Sequence, residues 1–150
     1  MISEMKIYIK NRQRAIGLNL KRLEKELTKA LLHLRLESSE LSVLFVGSRR
    51  MKILNARYRR VPKDTDVLSF PLMDNLPHQG PSMLGDIVVS VPKALQQSKE
   101  FHVPFYDEIL RLLVHGLLHL IGYDHEINAY QKRKMEKKEK ELLDALKNLA

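Results

Sequence analysis

Residues 115–125 read HGLLHLIGYDH, and this stretch decides how the chain folds around its chemistry. The residues before it are mostly apolar and lack glycine and proline, which predicts a helix running into the stretch. On a helix, residues four positions apart share a face, so His115 and His119 can bind one ion together. Gly122 is a natural end for this helix, because glycine adopts the left-handed conformation after a helix without steric cost. The chain can then turn back and bring His125 to the same ion.

Three imidazoles with a fourth position left open are the ligand set of a catalytic zinc site. A lone histidine on an apolar helix is more often a core or surface residue, but three at this spacing with a turn glycine are hard to obtain by chance. We therefore predict one Zn²⁺ per chain. The spacing matches the metzincin peptidase signature H-E-x-x-H-x-x-G-x-x-H apart from one position. Where those peptidases carry the glutamate that acts as general base, this chain has Gly116.

Length and composition restrict the class of protein. A chain of 150 residues is expected to fold as one domain, residues 1–150, around one core. It has no cysteine, which excludes disulfides and thiolate ligands and fits a reducing compartment. No signal peptide or bilayer-spanning segment is evident, so we expect a cytoplasmic protein without a membrane partner. The formal net charge of +8 favours a polyanionic partner such as nucleic acid, although basic proteins are common.

The order of hydrophobic patterns predicts an α+β fold. Strand patterns occur at about residues 5–9, 41–46, 67–72 and 84–91. Helical patterns occur at about residues 14–34, 48–58, 93–99 and 128–149, besides the histidine helix that Pro104 opens. We expect a small four-stranded mixed sheet packed in α/β layers with about five helices, and the metal site at the end of a central helix. Gly85 indicates a bulge or close backbone approach, and the proline-rich residues 74–81 a loop able to act as a lid or rim.

The segment 48–63 carries the most one-sided charge in the chain. It has no acidic residue and contains the basic residues Arg49, Arg50, Lys52, Arg57, Arg59, Arg60 and Lys63. Contacts from such a segment to phosphates would depend on salt and ignore the base sequence. We assign RNA-binding roles to Arg49, Arg57 and Arg60 on this basis.

The stretch HGLLHLIGYDH resembles the signature of the YbeY family, bacterial single-strand-specific endoribonucleases that act as rRNA maturation factors. Two further blocks are similar in the same order: Asn55 with Tyr58-Arg59 and TDVLSFP at residues 65–71, and LGDI at residues 84–87. Together they cover the middle of the chain up to His125. The resemblance implies a compact α/β domain with a four-stranded sheet, zinc held by the three histidines and a functional arginine at Arg59. It also implies a role in maturation of the 3′ end of 16S rRNA and in ribosome quality control.

Phosphodiester cleavage is a reaction that such residues can perform. An open three-histidine zinc can polarise a phosphoryl oxygen or lower the pKa of bound water to about 7. A guanidinium can hold two phosphoryl oxygens at once, so we take Arg59 as a catalytic clamp, with a steering role on the surface as the alternative. Asp124 and Asp86 are candidates to orient an imidazole or act as base, and Asp66 is a further candidate for the base. Either water or the RNA 2′-hydroxyl can be the nucleophile.

The substrate is expected to be single-stranded RNA, with the ribosome or small-subunit components as partners and no DNA target. Tyr58, Phe70 and Tyr123 could stack on unpaired bases, but an aromatic residue in such a position is more often part of the core. Two rival functions are a zincin-type metallopeptidase and a non-catalytic ribosome-associated factor with a structural metal. Gly116 argues against the first, and the lack of cysteine against the second, because structural zinc usually has cysteine ligands.

Overall fold

The computed structural model describes residues 5–72 and 82–148, which form one mixed sheet flanked by helices. The elements in chain order are β1 (Lys6–Asn11), α1 (Leu20–His33), β2 (Ser39–Val46), α2 (Ser48–Arg59), β3 (Val67–Pro71), β4 (Ser82–Ser90), α3 (Val91–Glu100), α4 (Phe105–Leu120) and α5 (Ala129–Asn148). The prediction of four strands and about five helices is confirmed over this part of the chain. None of the helices described here is long and apolar enough to cross a membrane.

The sheet has the strand order β1-β2-β4-β3. Strand β2 runs parallel to both β1 and β4, whereas β3 lies antiparallel to β4 at one edge. Parallel neighbours need a long crossover connection, which α1 provides between β1 and β2. The sheet is therefore mixed, as expected.

Gly85 combines the two features that the sequence offered as alternatives. The pairing of β2 with β4 shifts from Glu40 opposite Met83 to Leu41 opposite Gly85, so Leu84 is the extra residue of a bulge. Gly85 has a φ of +135°, and a Cβ there would lie 2.2 Å from the carbonyl oxygen of Phe70. Only glycine fits this approach between β4 and β3.

The main core lies between the sheet, the helices α1 and α4 that pack on it, and α5, which packs against both of these helices. Alternate residues of β2, namely Leu41, Val43 and Phe45, point into it and are fully buried. A smaller cluster on the other face joins α2 to the sheet and consists of Val46, Met51, Leu68 and Val88. Because α2 is short, it covers only part of that second face.

One prediction about a chain segment is wrong, and another concerns residues that the structure does not describe. The predicted start of the first helix at about residue 14 is wrong, because α1 begins at Leu20. The side chain of Asn19 accepts a hydrogen bond from the Arg22 amide at 3.1 Å, which makes Asn19 the N-cap. Ile16, assigned to the helical stripe, donates its amide to the Gln13 side chain instead. The predicted lid at residues 74–81 lies outside the described residues.

Candidate metal centre

Helix α4 is the central element of the fold and ends as its sequence predicts. The residue after the helix is Ile121, and Gly122 follows with a φ of +107°. The Gly122 amide donates to the His119 carbonyl at 3.1 Å, and the Tyr123 amide donates to the Leu118 carbonyl at 3.0 Å. This pair of bonds is a Schellman motif, which reverses the chain directly after the helix.

The reversal brings three imidazoles together. Nitrogen atoms of His115, His119 and His125 all lie within 4.8 Å of one another, and His119 Nε2 is 3.1 Å from His125 Nδ1. The ring centroids are separated by 4.9, 5.1 and 5.0 Å. Zn–N bonds near 2.0–2.1 Å in a tetrahedral site put ligand nitrogens about 3.4 Å apart, so small side-chain adjustments suffice. The three half-buried rings therefore fit a single metal ion.

The surroundings of His119 favour its neutral imidazole, the form that binds metals. Burial lowers the pKa of His119 below its ordinary value, and the neighbouring His115 and His125 lower it further. A ring that resists protonation keeps its lone pair available to a cation.

A carboxylate that the sequence did not single out orients the first histidine. Glu139 Oε1 on α5 contacts Nδ1 of His115 directly. A proton on Nδ1 that donates to this carboxylate leaves Nε2 as the metal-binding atom. The contact spans 24 positions of sequence between two helices, so nothing in the local spacing indicates it.

Helix α4 lies close to the sheet at Gly116, the position where the peptidases carry their glutamate. A Cβ on Gly116 would be 2.9 Å from Ile87 Cγ2 and 3.1 Å from Ser69 Oγ. The Ser69 hydroxyl also donates to the Gly116 carbonyl at 3.1 Å, which ties β3 to α4. A carboxylate side chain at this position would have to displace the side chains of Ile87 and Ser69.

The histidines open into a pocket of about 690 Å³ between α4, β3 and the end of α2. Its polar lining includes Arg59, Asp66, Arg111, Asp124 and Glu126. The site is thus a hollow with cationic and carboxylate side chains around an accessible histidine cluster, a shape that admits a substrate.

Arg59 stands at the mouth of this pocket and is half exposed. Its Nη2 lies 3.3 Å from Oε1 of Glu126, and the two side chains are 51% and 63% exposed. The same Glu126 oxygen is 3.9 Å from His125 Nε2. An exposed ion pair of this kind is worth little, so Arg59 can exchange Glu126 for another anion at small cost.

A second guanidinium in the pocket, Arg111, was also missed by reasoning from the sequence. Its Nε and Nη2 donate to the two carboxylate oxygens of Glu108 at 2.8 and 2.7 Å. Glu108 is only 1% exposed and also accepts from Gln97 at 2.6 Å. The hydrogen bonds to Glu108 raise the pKa of Arg111 above its ordinary value. Arg111 therefore forms a fixed, charged part of the pocket wall one helical turn before His115.

The carboxylates proposed from the sequence have separate locations. Asp124 lines the histidine pocket, where its Oδ1 accepts the Glu126 amide at 2.9 Å, a turn contact rather than an imidazole contact. Asp66 also lines the pocket, and its Oδ1 accepts the Val67 amide at 2.7 Å. Asp86 is exposed and lines a different depression, on the sheet face away from α4, because side chains alternate along β4. The expectation that Asp86 orients an imidazole is not supported by this position.

The basic residues of α2 are likewise divided. Arg49, Arg57 and Arg60 are exposed, but the histidine pocket is lined by Arg59 and not by these three. Arg60 follows α2 in the left-handed conformation, with a φ of 58°. Tyr58 and Phe70 both line the pocket, with rings in edge contact at a centroid distance of 5.0 Å.

Comparisons with known proteins agree with the geometry. Residues 8–147 match the family model described as Endoribonuclease YbeY. A protein named Endoribonuclease YbeY from Thermodesulfovibrio yellowstonii is 45% identical over 71% of this chain and 67% of its own length. One of the same name from Geobacter metallireducens is 36% identical over 95% of this chain and 96% of its own. A solution structure from Thermotoga maritima superposes with a TM-score of 0.67 at 28% identity, covering 93% of this chain and 88% of that one.

Proposed function

The chain belongs to the endoribonuclease YbeY family, and from this premise we propose that it is a zinc-dependent endoribonuclease that cuts single-stranded RNA. We assign its substrate to ribosomal RNA, at the 3′ end of the 16S molecule, and its partner to the ribosome, where it also serves in quality control. The observation that carries the chemistry is the meeting of three imidazoles with Arg59 around one pocket.

The metal would be held by His115, His119 and His125. When bound, zinc supplies a Lewis acid for a phosphoryl oxygen and an acidified water. Through its contact with Nδ1, Glu139 would leave Nε2 of His115 free to hold the metal. Burial and the neighbouring imidazoles lower the pKa of His119, which favours the unprotonated ring that binds metals.

Arg59 would bind the phosphate of the bond that is cut. In the free protein its partner is Glu126, and the exposed pair is readily separated. A phosphodiester accepts two parallel hydrogen bonds from a guanidinium, which positions it beside the histidines. Negative charge grows on the phosphoryl oxygens during the reaction, so this contact strengthens in the transition state.

The peptidase alternative lacks its essential residue. The place where a zincin carries its glutamate is filled by Ile87 and Ser69 against Gly116. The structural-metal alternative fits poorly with a cluster that opens into a pocket of about 690 Å³, because structural zinc sites are closed.

The test combines metal analysis with cleavage assays of the purified protein. The expected result is about one zinc per chain and cleavage of single-stranded rRNA fragments but not of a perfect duplex. His119→Ala should abolish metal binding and lower cleavage at least about 1,000-fold, as expected when a Lewis acid is lost. His33→Ala is the matched control, because His33 is an exposed histidine at the end of α1.

The ends of the product identify the nucleophile. A 2′,3′-cyclic phosphate indicates attack by the 2′-hydroxyl, and a 5′-phosphate indicates water. Casein digestion by the zinc-loaded protein, or full RNA cleavage by His119→Ala, would contradict the proposed function.

A further inference from the structure

The sheet face away from α4 is only partly covered and leads away from the histidines. Strand β1 lies at the edge and turns Tyr8 and Lys10 to this face, where Tyr8 is 48% exposed. Helix α2 packs over the part of the face near Val46 and Val88. The remainder forms a trough bounded by α2 on one side.

Three neighbouring hollows make this trough continuous. The histidine pocket and the hollow next to it, of about 490 Å³, share Tyr58 and Phe70 as a common wall. That middle hollow and a third, of about 360 Å³, share Lys10, Leu44 and Leu54. A chain leaving the histidines can therefore pass the aromatic pair and continue along the sheet.

The far end of the trough is basic. Lys10, Arg12 and Arg50 line the third hollow together with apolar side chains, and none of its lining residues is acidic. All three cations are exposed, and none has an acidic partner within the described residues. The Arg12 amide donates to the Phe45 carbonyl at 2.8 Å, which fixes the backbone beneath this cluster. We name these three residues the distal basic site.

The middle of the trough suits bases better than phosphates. Tyr58 is 58% exposed at the junction and is held edge-on against Phe70, so one ring face is available for stacking. Asp86 and Ser42 line the same hollow. The Asp86 carboxylate repels a phosphate and can accept a hydrogen bond from an exocyclic amino group. Phosphates are therefore favoured at the two ends of the trough.

We propose that Lys10, Arg12 and Arg50 bind the phosphates of a single-stranded RNA whose scissile bond lies in the histidine pocket. The inference rests on the proposed function and adds a second anchoring point. Of the two neighbouring arginines, Arg50 lines the third hollow together with other cations, whereas Arg49 does not. The proposal therefore assigns the phosphate contact to Arg50. It also excludes duplex RNA from this path, because stacking on Tyr58 needs an unpaired base.

The test uses the triple variant Lys10→Ser, Arg12→Ser, Arg50→Ser. The control triple variant Lys25→Ser, Lys137→Ser, Lys140→Ser removes the same charge from exposed positions on α1 and α5. Urea denaturation establishes that both remain folded. Fluorescence anisotropy then measures binding of a labelled single-stranded RNA of 20 nucleotides and of a labelled tetranucleotide.

The distal variant should bind the long RNA about tenfold or more weakly, with a salt slope reduced by about 2, because single strands release about 0.7 counterions per phosphate contact. Its affinity for the tetranucleotide should change less than about twofold, and the control variant should lose less than the distal variant on the long RNA. Equal losses in the two variants, or equal losses on the two RNAs, would overturn the inference. Because binding is measured without cleavage, a protein that binds RNA through this site but never cuts it would overturn the proposed function alone.

Discussion

The two walls of the histidine pocket are built in different ways. The imidazole wall consists of half-buried rings on α4 and the turn after it, with Glu139 of α5 behind His115. The arginine wall depends on Arg59, which is exposed and, among the residues that the structure describes, is paired with the exposed Glu126. The first wall is fixed when the protein folds, whereas the second can rearrange when an anion arrives. Metal binding should therefore be sensitive to packing, and substrate binding to exposed charge.

The strongest challenge to the rigid wall is Gly116→Glu. The new side chain would enter the contact with Ile87 and Ser69, so we expect a loss of about 3 kcal/mol or more in the free energy of unfolding. Urea denaturation measures it. Gly47→Ala is the control, because a Cβ on Gly47 meets nothing within 4 Å. A Gly116→Glu protein of normal stability would disprove the steric explanation for the missing peptidase base.

Glu139→Gln tests whether the rigid wall extends to α5. Loss of the charged partner of His115 should weaken zinc binding about 10- to 100-fold, the usual range for residues behind a metal ligand. Competition with a chromophoric chelator measures the affinity. Glu136→Gln changes an exposed acid on the same helix and should leave the affinity unchanged. If both variants bind zinc equally well, Glu139 has no orienting role.

Arg59→Lys tests the mobile wall. Lysine keeps the charge but loses the two parallel hydrogen bonds, so kcat/KM for RNA should fall about tenfold while zinc content stays the same. Steady-state cleavage of a labelled single-stranded RNA measures this, with Arg57→Lys as a control outside the pocket. Activity close to that of the unaltered protein would reduce Arg59 to a steering charge.

The smallest expected effect is a dependence of stability on pH in the metal-free protein. The pKa of His119 is lower in the folded state than its ordinary value of about 6.5, so the unfolded state binds more protons. Stability contributed by His119 is therefore complete above that value and is lost as the pH falls through and below it. Urea midpoints at several pH values measure the slope, which His119→Gln should reduce. An unchanged slope in that variant would assign the titration to another group.

Contacts between residues close in sequence could be predicted, whereas contacts between distant residues could not. The three imidazoles meet as expected because their arrangement depends on one helix and one glycine turn within residues 115–125. The role of Gly85 could also be predicted, because a glycine inside a strand often marks a bulge or a close backbone approach. The role of Glu139 could not be predicted, because this residue lies among many other charged residues on α5 and its partner is distant in sequence. Its role arises from how two helices pack.

The errors have equally specific physical causes. Asp86 was proposed as a residue near the metal, but alternation along β4 turns it to the opposite face of the sheet. The start of α1 was misplaced because the apolar stripe extends back to Ile16, whereas the Asn19 N-cap makes the helix begin only at Leu20. In both cases a local feature of the backbone determines where the residue lies, and the longer sequence pattern did not indicate it.

The contact between Glu139 and His115 links metal uptake to the order of synthesis. A nascent chain that has passed His125 already contains every ligand, yet the carboxylate that aims the first of them is still 14 residues away. Full affinity for a metal ion should therefore require that α5 has packed against α4.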